Sequence, residues 1–282
     1  MSKSVRQRQS VVVRLLDLNL PSNRFILTAF IFSTAIVTGH QLVRGRPVLT
    51  GLALGLQAGF SVFLSWAIGR ELDPDDPRSA TVAALLGFAI FLTGPTQLGA
   101  VVALLFAVRI VLRSTGAPPN KLDLVWLTAL GIYSARRPGG VPAAIALGAA
   151  LVMDGRLPAP AYRIVSTAGK ALLLLVLAAA AYFGSLTPSW SWPRGSQWIV
   201  LAFVLLAMAG WRTPTPASTS DMGAEPLSRR RLVAASWLGL AAGIVTLLWI
   251  GGPAIPALVG LWAAVIAVSI HRRVWPSRLR TA

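Results

Sequence analysis

The chain contains no cysteine, which excludes disulfides, thiol nucleophiles and thiolate metal sites together. Histidine is almost as scarce. His40 and His271 stand far apart near the ends of apolar runs, so neighbouring ligands for zinc or haem are lacking, and any metal here is a hard, oxygen-bound ion such as Mg²⁺. Acidic residues number only nine against 26 lysines and arginines. Charged residues of both signs make up 12% of the chain, where soluble domains carry about 25%. No Walker loop, dinucleotide glycine pattern, zinc motif or Ser-His-Asp set is present, which sets those enzyme classes aside.

What the chain has in abundance is apolar surface: 55% of residues are hydrophobic and the mean hydropathy is +0.68. Runs of about 15 to 22 apolar residues recur along its length, broken by Pro, Gly and Arg. This pattern predicts an all-α, polytopic transmembrane helical bundle of about eight to ten spans, solvated by membrane lipids. The net charge of +17 sits in short loops between spans, where it directs topology and contacts headgroups rather than nucleic acid. Residues 1–20 read as a basic interfacial or disordered segment, 21–273 as one membrane domain with a linker at 212–231, and 274–282 as a basic tail.

Spans are expected at about 25–43, 48–68, 79–93, 98–113, 171–186, 198–211, 232–250 and 255–270, with Trp190, Trp192 and Trp198 forming an interfacial belt. Two shorter runs, 122–135 and 139–153, are below the ~20 residues that cross a 30 Å core. They form either two short spans or one re-entrant pair around Arg136 and Arg137. Both alternatives return the chain to the same side. With the basic amino terminus inside the cell membrane, both termini, the 113–121 loop, the 154–170 loop and the 212–231 linker are expected in the cytoplasm.

Four of the nine acids, Glu71, Asp73, Asp75 and Asp76, fall within six positions between two apolar runs. Carboxylates so close together at a low-dielectric boundary repel one another and favour a counter-cation. Mg²⁺ would relieve that repulsion and leave coordination positions for substrate phosphate. A structural account of the same residues has Asp76-Pro77 as an N-cap followed by Pro at the first helical position, and Asp73-Pro74 as a turn. In that account Arg70 and Arg78 neutralise the remaining charge. Arg109 and Arg113, four apart on one helix face, either snorkel to the membrane surface or bind phosphate. Asp123 reads as a helix-start acid, Asp154 as a turn residue or second acidic site, Gln57 as a cross-helix donor, and Gly51, Gly55 and Gly59 as a packing ladder.

An acidic motif leaving the second span, with a further acid after the sixth, resembles the UbiA-type intramembrane prenyltransferases. The resemblance covers those two loops. It implies that Asp73 and Asp76, with Asp154 opposite, hold Mg²⁺ against a prenyl diphosphate. Glu71 and Asp75 complete the acidic set, and Arg70, Arg109, Arg113 and Lys121 are the candidates to bind phosphate oxygens. Ten short helices with both ends inside also resemble the drug/metabolite transporter architecture. Three functions follow as expectations: a Mg²⁺-dependent enzyme acting on a prenyl or other lipid (di)phosphate, a transporter or flippase for a small anionic or lipid solute, and an accessory membrane subunit.

Overall fold

The computed structural model describes residues 17–158, 162–188, 191, 215–221 and 226–274. The expected amino-terminal segment through residue 16, the tryptophan belt at 190, 192 and 198, the 198–211 span and the tail from 275 lie outside those residues. The described chain is all α-helical. Its helices are α1 (Pro21–Val43), α2 (Val48–Leu72), α3 (Pro77–Phe91), α4 (Leu98–Leu112), α5 (Lys121–Ser134), α6 (Val141–Asp154), α7 (Arg163–Tyr182), α8 (Arg229–Ile250), the single turn α9 (Ala254–Ala257) and α10 (Val259–Val274). A 3₁₀ turn, Pro138–Gly140, joins α5 to α6. Among the described residues α1, α2, α7 and α8 are long and apolar enough to cross a membrane, and α3, α4 and α6 are shorter apolar helices.

Local chemistry starts these helices, the first of them four residues before the expected 25. Pro21 and Pro77 occupy the first turns of α1 and α3, where the missing N–H costs nothing. The Asp76 carboxylate caps α3 by accepting from Arg78 N at 2.9 Å. Asn120 and Asp123 form a reciprocal capping box at the start of α5, with bonds of 2.9 and 3.0 Å. Two such bonds satisfy N–H groups that a helix start otherwise leaves open.

The core is built around α4. Eleven of its fifteen residues are buried, on every side of the helix, as expected of a helix enclosed by others. The helices α2, α5, α6, α8 and α10 pack around it. By contrast, α1 touches chiefly α2 and leaves Ile31, Phe32 and Ile36 exposed, an apolar face suited to lipid. The glycine ladder makes the α1–α2 approach close. A Cβ at Gly55 would overlap Thr38 Oγ1 and lie 2.6 Å from the Thr34 carbonyl, whereas one at Gly51 would meet nothing nearer than 3.5 Å.

The short pair runs the full height of α4. Gly99, at the start of α4, lies against Tyr133 and Ser134 at the end of α5, while Asp154, at the end of α6, pairs with Arg113 just past α4. The pair therefore packs along the whole of α4. Two other boundaries are corrected. The loop expected at 154–170 is helical from Arg163, and the linker expected to end at 231 gives way to α8 at Arg229. In α7 the buried positions Val165, Gly169, Leu172, Val176 and Ala180 form a single stripe, which a polar helix start can carry without continuous apolarity.

Helix length also sets the shape of the two ends. At 1.5 Å per residue, α2 is roughly 37 Å long and α3 and α4 are roughly 22 Å. The Gln57 amide, nine residues into α2, donates to Thr96 O in the α3–α4 connection at 2.8 Å. At that end the α1–α2 hairpin therefore stands roughly 13 Å beyond its neighbours.

Candidate functional site

At the other end of the bundle, where α2, α4 and α6 finish and α3, α5 and α8 begin, Glu71, Asp73, Asp75, Asp76, Asp123 and Asp154 each meet a cation or an N–H. Glu71, in the last turn of α2, accepts from Arg109 Nε of α4 at 2.9 Å, and both side chains are buried. Asp73 faces Arg272 of α10, whose Nη2 is 3.5 Å from Oδ1 and also donates to Leu72 O at 3.0 Å. Asp75 turns away from these and accepts from Ser218 N at 2.8 Å, Ser218 Oγ at 2.6 Å and Ala217 N at 3.1 Å. Asp76, besides capping α3, lies 2.9 Å from His271 Nε2.

The tightest group is on the α4–α6–α8 side. Asp154 is fully buried and receives two arginines. Arg113 binds it side-on, Nε to Oδ1 at 2.8 Å and Nη2 to Oδ2 at 3.1 Å, and Arg231 Nη1 reaches Oδ1 at 2.7 Å. Arg231 also donates to Val111 O at 2.8 Å and to Pro158 O at 2.7 and 3.0 Å. Arg113 adopts a left-handed backbone, φ 54°, at a cost of about 1–2 kcal/mol for a residue with a side chain. The bidentate bond holds that conformation in place.

Several expected roles change on this geometry. Asp154 is the buried last residue of α6 rather than a surface turn, and Arg109 is a buried partner of Glu71 rather than a snorkelling side chain. Arg70, expected to neutralise the acidic stretch, lies over the Trp66 ring at 5.3 Å and donates to Asn23 Oδ1 at 3.3 Å. Lys121 is exposed at the start of α5. Arg109 meets Glu71, Arg272 meets Asp73, His271 meets Asp76 and Arg231 meets Asp154. Arg231 and Arg272 sit in basic clusters that topology alone explains. One signal was available: Arg231 stands in the first turn of a helix, where the dipole disfavours a cation, so a nearby carboxylate was implied.

The result is a charge-balanced layer: Glu71, Asp73, Asp76 and Asp154 against Arg109, Arg113, Arg231 and Arg272, with His271 beside Asp76. Burial pushes the Asp73 carboxyl above its ordinary value, against the opposing pull of Arg272. Among the described residues no three His, Asp or Glu side chains gather as metal ligands, because residues 71–76 point toward different helices. No family model, curated protein or solved structure matches this chain. The fold and this layer define an integral-membrane helical bundle locked at one end by interhelical ion pairs.

Proposed function

We propose that the protein is a membrane carrier for a small anionic solute, in a state shut at its acidic end. The observation that carries this is the contrast between the two ends. Ion pairs tie α2, α3, α4, α6, α8 and α10 together at one. At the other, a cavity of about 330 Å³ opens beside Gln57, Gln97, Tyr133 and Arg136. Interrupted helices meet Gln97, one of its wall residues: the 3₁₀ turn lies against the Gln97 side chain, and Ala257 O, at the end of α9, accepts from Gln97 N at 3.1 Å. Carriers commonly place sites at such discontinuous helices. Interhelical ion pairs also suit a gate, since their Coulombic gain is largely offset by desolvation and they can open without a large net change.

The cysteine-free chain provides the test. Ser134→Cys, lining the cavity, is placed in liposomes and labelled with a membrane-impermeant maleimide from each side. Labelling from the arginine-rich side is expected in the parent. Weakening the acidic layer with Asp154→Asn and Arg272→Gln is expected to slow it and to open labelling from the acidic side. Unchanged sidedness in both variants would overturn the carrier.

One observation favours the enzyme alternative. Asp73 Oδ2 is buried without a hydrogen-bond partner, since the neighbouring Ser79 hydroxyl donates to Asp76 O at 2.9 Å. Asp73 and Asp76 are the two residues that would hold Mg²⁺, which would supply charge neutralisation of a lipid diphosphate, and Arg272 and His271 would first have to release them. Thermal unfolding with Mg²⁺ and a long-chain prenyl diphosphate tests this. Stabilisation of about 2.7 kcal/mol at 100 times Kd, absent from Asp73→Asn/Asp76→Asn, would favour the enzyme over the carrier.

A further inference from the structure

Among the described residues the arginine-rich end carries no acid. All nine Asp and Glu lie at positions 17, 71–76, 123, 154, 221 and 225. None falls in the connections at 44–47, 92–97, 135–140, 183–188 or 251–258, which carry Arg44, Arg46, Arg136 and Arg137. Arg136 rests on the ring faces of Tyr133 and Phe183, at 5.8 and 5.6 Å. Arg137 forms no ion pair with the described residues. Both are exposed on the cavity wall, and no carboxylate of the described residues pairs with them there.

The same cavity collects other groups suited to an anion. Leu98, Gly99 and Ala100, the first turn of the fifteen-residue α4, line it. Their N–H groups have no intrahelical acceptor, and Gln97, at the cap position, does not cover them with its side chain. That side chain makes no hydrogen bond with the described residues, leaving its amide free at the cavity wall. Two glycines bring the arginine loop onto this helix start. A Cβ at Gly139 would lie 2.7 Å from Gln97 Nε2 and 2.8 Å from Ile250 Cδ1, and one at Gly140 would overlap Ser134 O.

We infer that this cavity binds a phosphate-class oxyanion, held by the Arg136 and Arg137 guanidinium groups, the Gln97 amide and the N-terminus of α4. The two full positive charges and the positive end of a helix macrodipole match a dianion, and guanidinium forks match its oxygens pairwise. The volume of about 330 Å³ suits a small phosphorylated solute or a lipid headgroup, at the lower end of ligand sites. The inference deepens the carrier reading by naming the solute class, but the site is defined without it.

The test is thermal unfolding and calorimetric titration of the purified, delipidated protein in neutral detergent. Inorganic phosphate, short-chain phosphatidic acid and chloride are compared at matched ionic strength. Saturable stabilisation by either phosphate compound and not by chloride is expected. Arg136→Gln/Arg137→Gln should weaken binding by at least about tenfold while leaving the unliganded unfolding temperature near that of the parent, because neither residue is in an ion pair. Arg137→Lys, which keeps the charge and loses the fork, should fall between. Response to inorganic phosphate identifies a free solute. Response to phosphatidic acid alone identifies a lipid headgroup. Equal responses to phosphate and chloride, or a phosphate response that survives the double substitution, would overturn the site. Binding without any reversal of Ser134→Cys labelling would leave the site and remove the carrier, and the opposite result would do the reverse.

Discussion

Replacing Asp154 with asparagine removes the one negative charge on which a buried arginine, Arg231, and a half-buried one, Arg113, converge. Asp154 is fully buried, and its three guanidinium contacts lie between 2.7 and 3.1 Å. Removing one partner of a buried pair costs about 3–5 kcal/mol, because the charge left behind stays desolvated. Two features place the expected loss near the lower bound. Arg231 keeps its bonds to Val111 O and Pro158 O, and the Arg113 side chain is 14% exposed and can turn to water. A loss of about 3 kcal/mol corresponds to a fall of about 5 °C in unfolding temperature for a chain of this size. The assay is tryptophan fluorescence in mild detergent at a fixed scan rate, since heat unfolding of such proteins is often irreversible. Arg156→Ala, two residues away, exposed and outside any ion pair, is the control and should stay within about 1 °C. The apolar pair Asp154→Leu/Arg231→Met should lose less than Asp154→Leu alone. An Asp154→Asn variant as stable as the parent would refute the buried layer.

Packing and titration give two further expectations. Gly55→Ala should destabilise by about 1–3 kcal/mol through overlap with Thr38 and the Thr34 carbonyl, whereas Gly51→Ala, with neighbours at 3.5 Å, should be tolerated; equal effects would refute the close α1–α2 approach. The Asp73 carboxyl has its folded-state pKa raised above the ordinary 3.8, so the stability it adds is present below that value and is lost as pH rises through the folded-state value. The unfolding temperature of the parent relative to Asp73→Asn should therefore decline as pH rises from about 4, and a flat or growing difference would refute the burial.

Hydropathy located the helices because a lipid-facing helix announces itself residue by residue. Asp76-Pro77 and Asp123 marked two helix starts by local chemistry, and the Gly51–Gly55–Gly59 ladder marked a close contact. The start of α7 was hidden because Arg163 and Lys170 are solvent-facing while Val165 and Gly169 carry the buried stripe, so a search for unbroken apolarity begins eight residues late. The candidate site was legible only in part. Glu71, Asp73, Asp76 and Asp154 were singled out, yet their partners lie 38 to 199 residues away in the chain, a separation over which local pattern carries no information. The acidic stretch also looked like one ligand set because its residues are adjacent. A helix end, a turn and a cap in succession rotate those carboxylates in different directions, and adjacency in sequence becomes divergence in space.

The segregation of charge gives the two ends different dependences on their surroundings. At the acidic end each buried carboxylate has its own guanidinium, imidazole or N–H, and low exposure limits screening of those pairs by added salt. At the arginine end the described connections carry four arginines and no anion, so the electrostatic energy of that end depends on what the medium provides. A saturable anion effect on stability should therefore report on the Arg136–Arg137 cavity and leave the ion-paired layer unmoved. Were the effect instead abolished by Asp154→Asn and retained by Arg136→Gln/Arg137→Gln, the anion would be acting on the acidic layer, and the two ends would have exchanged the roles assigned to them.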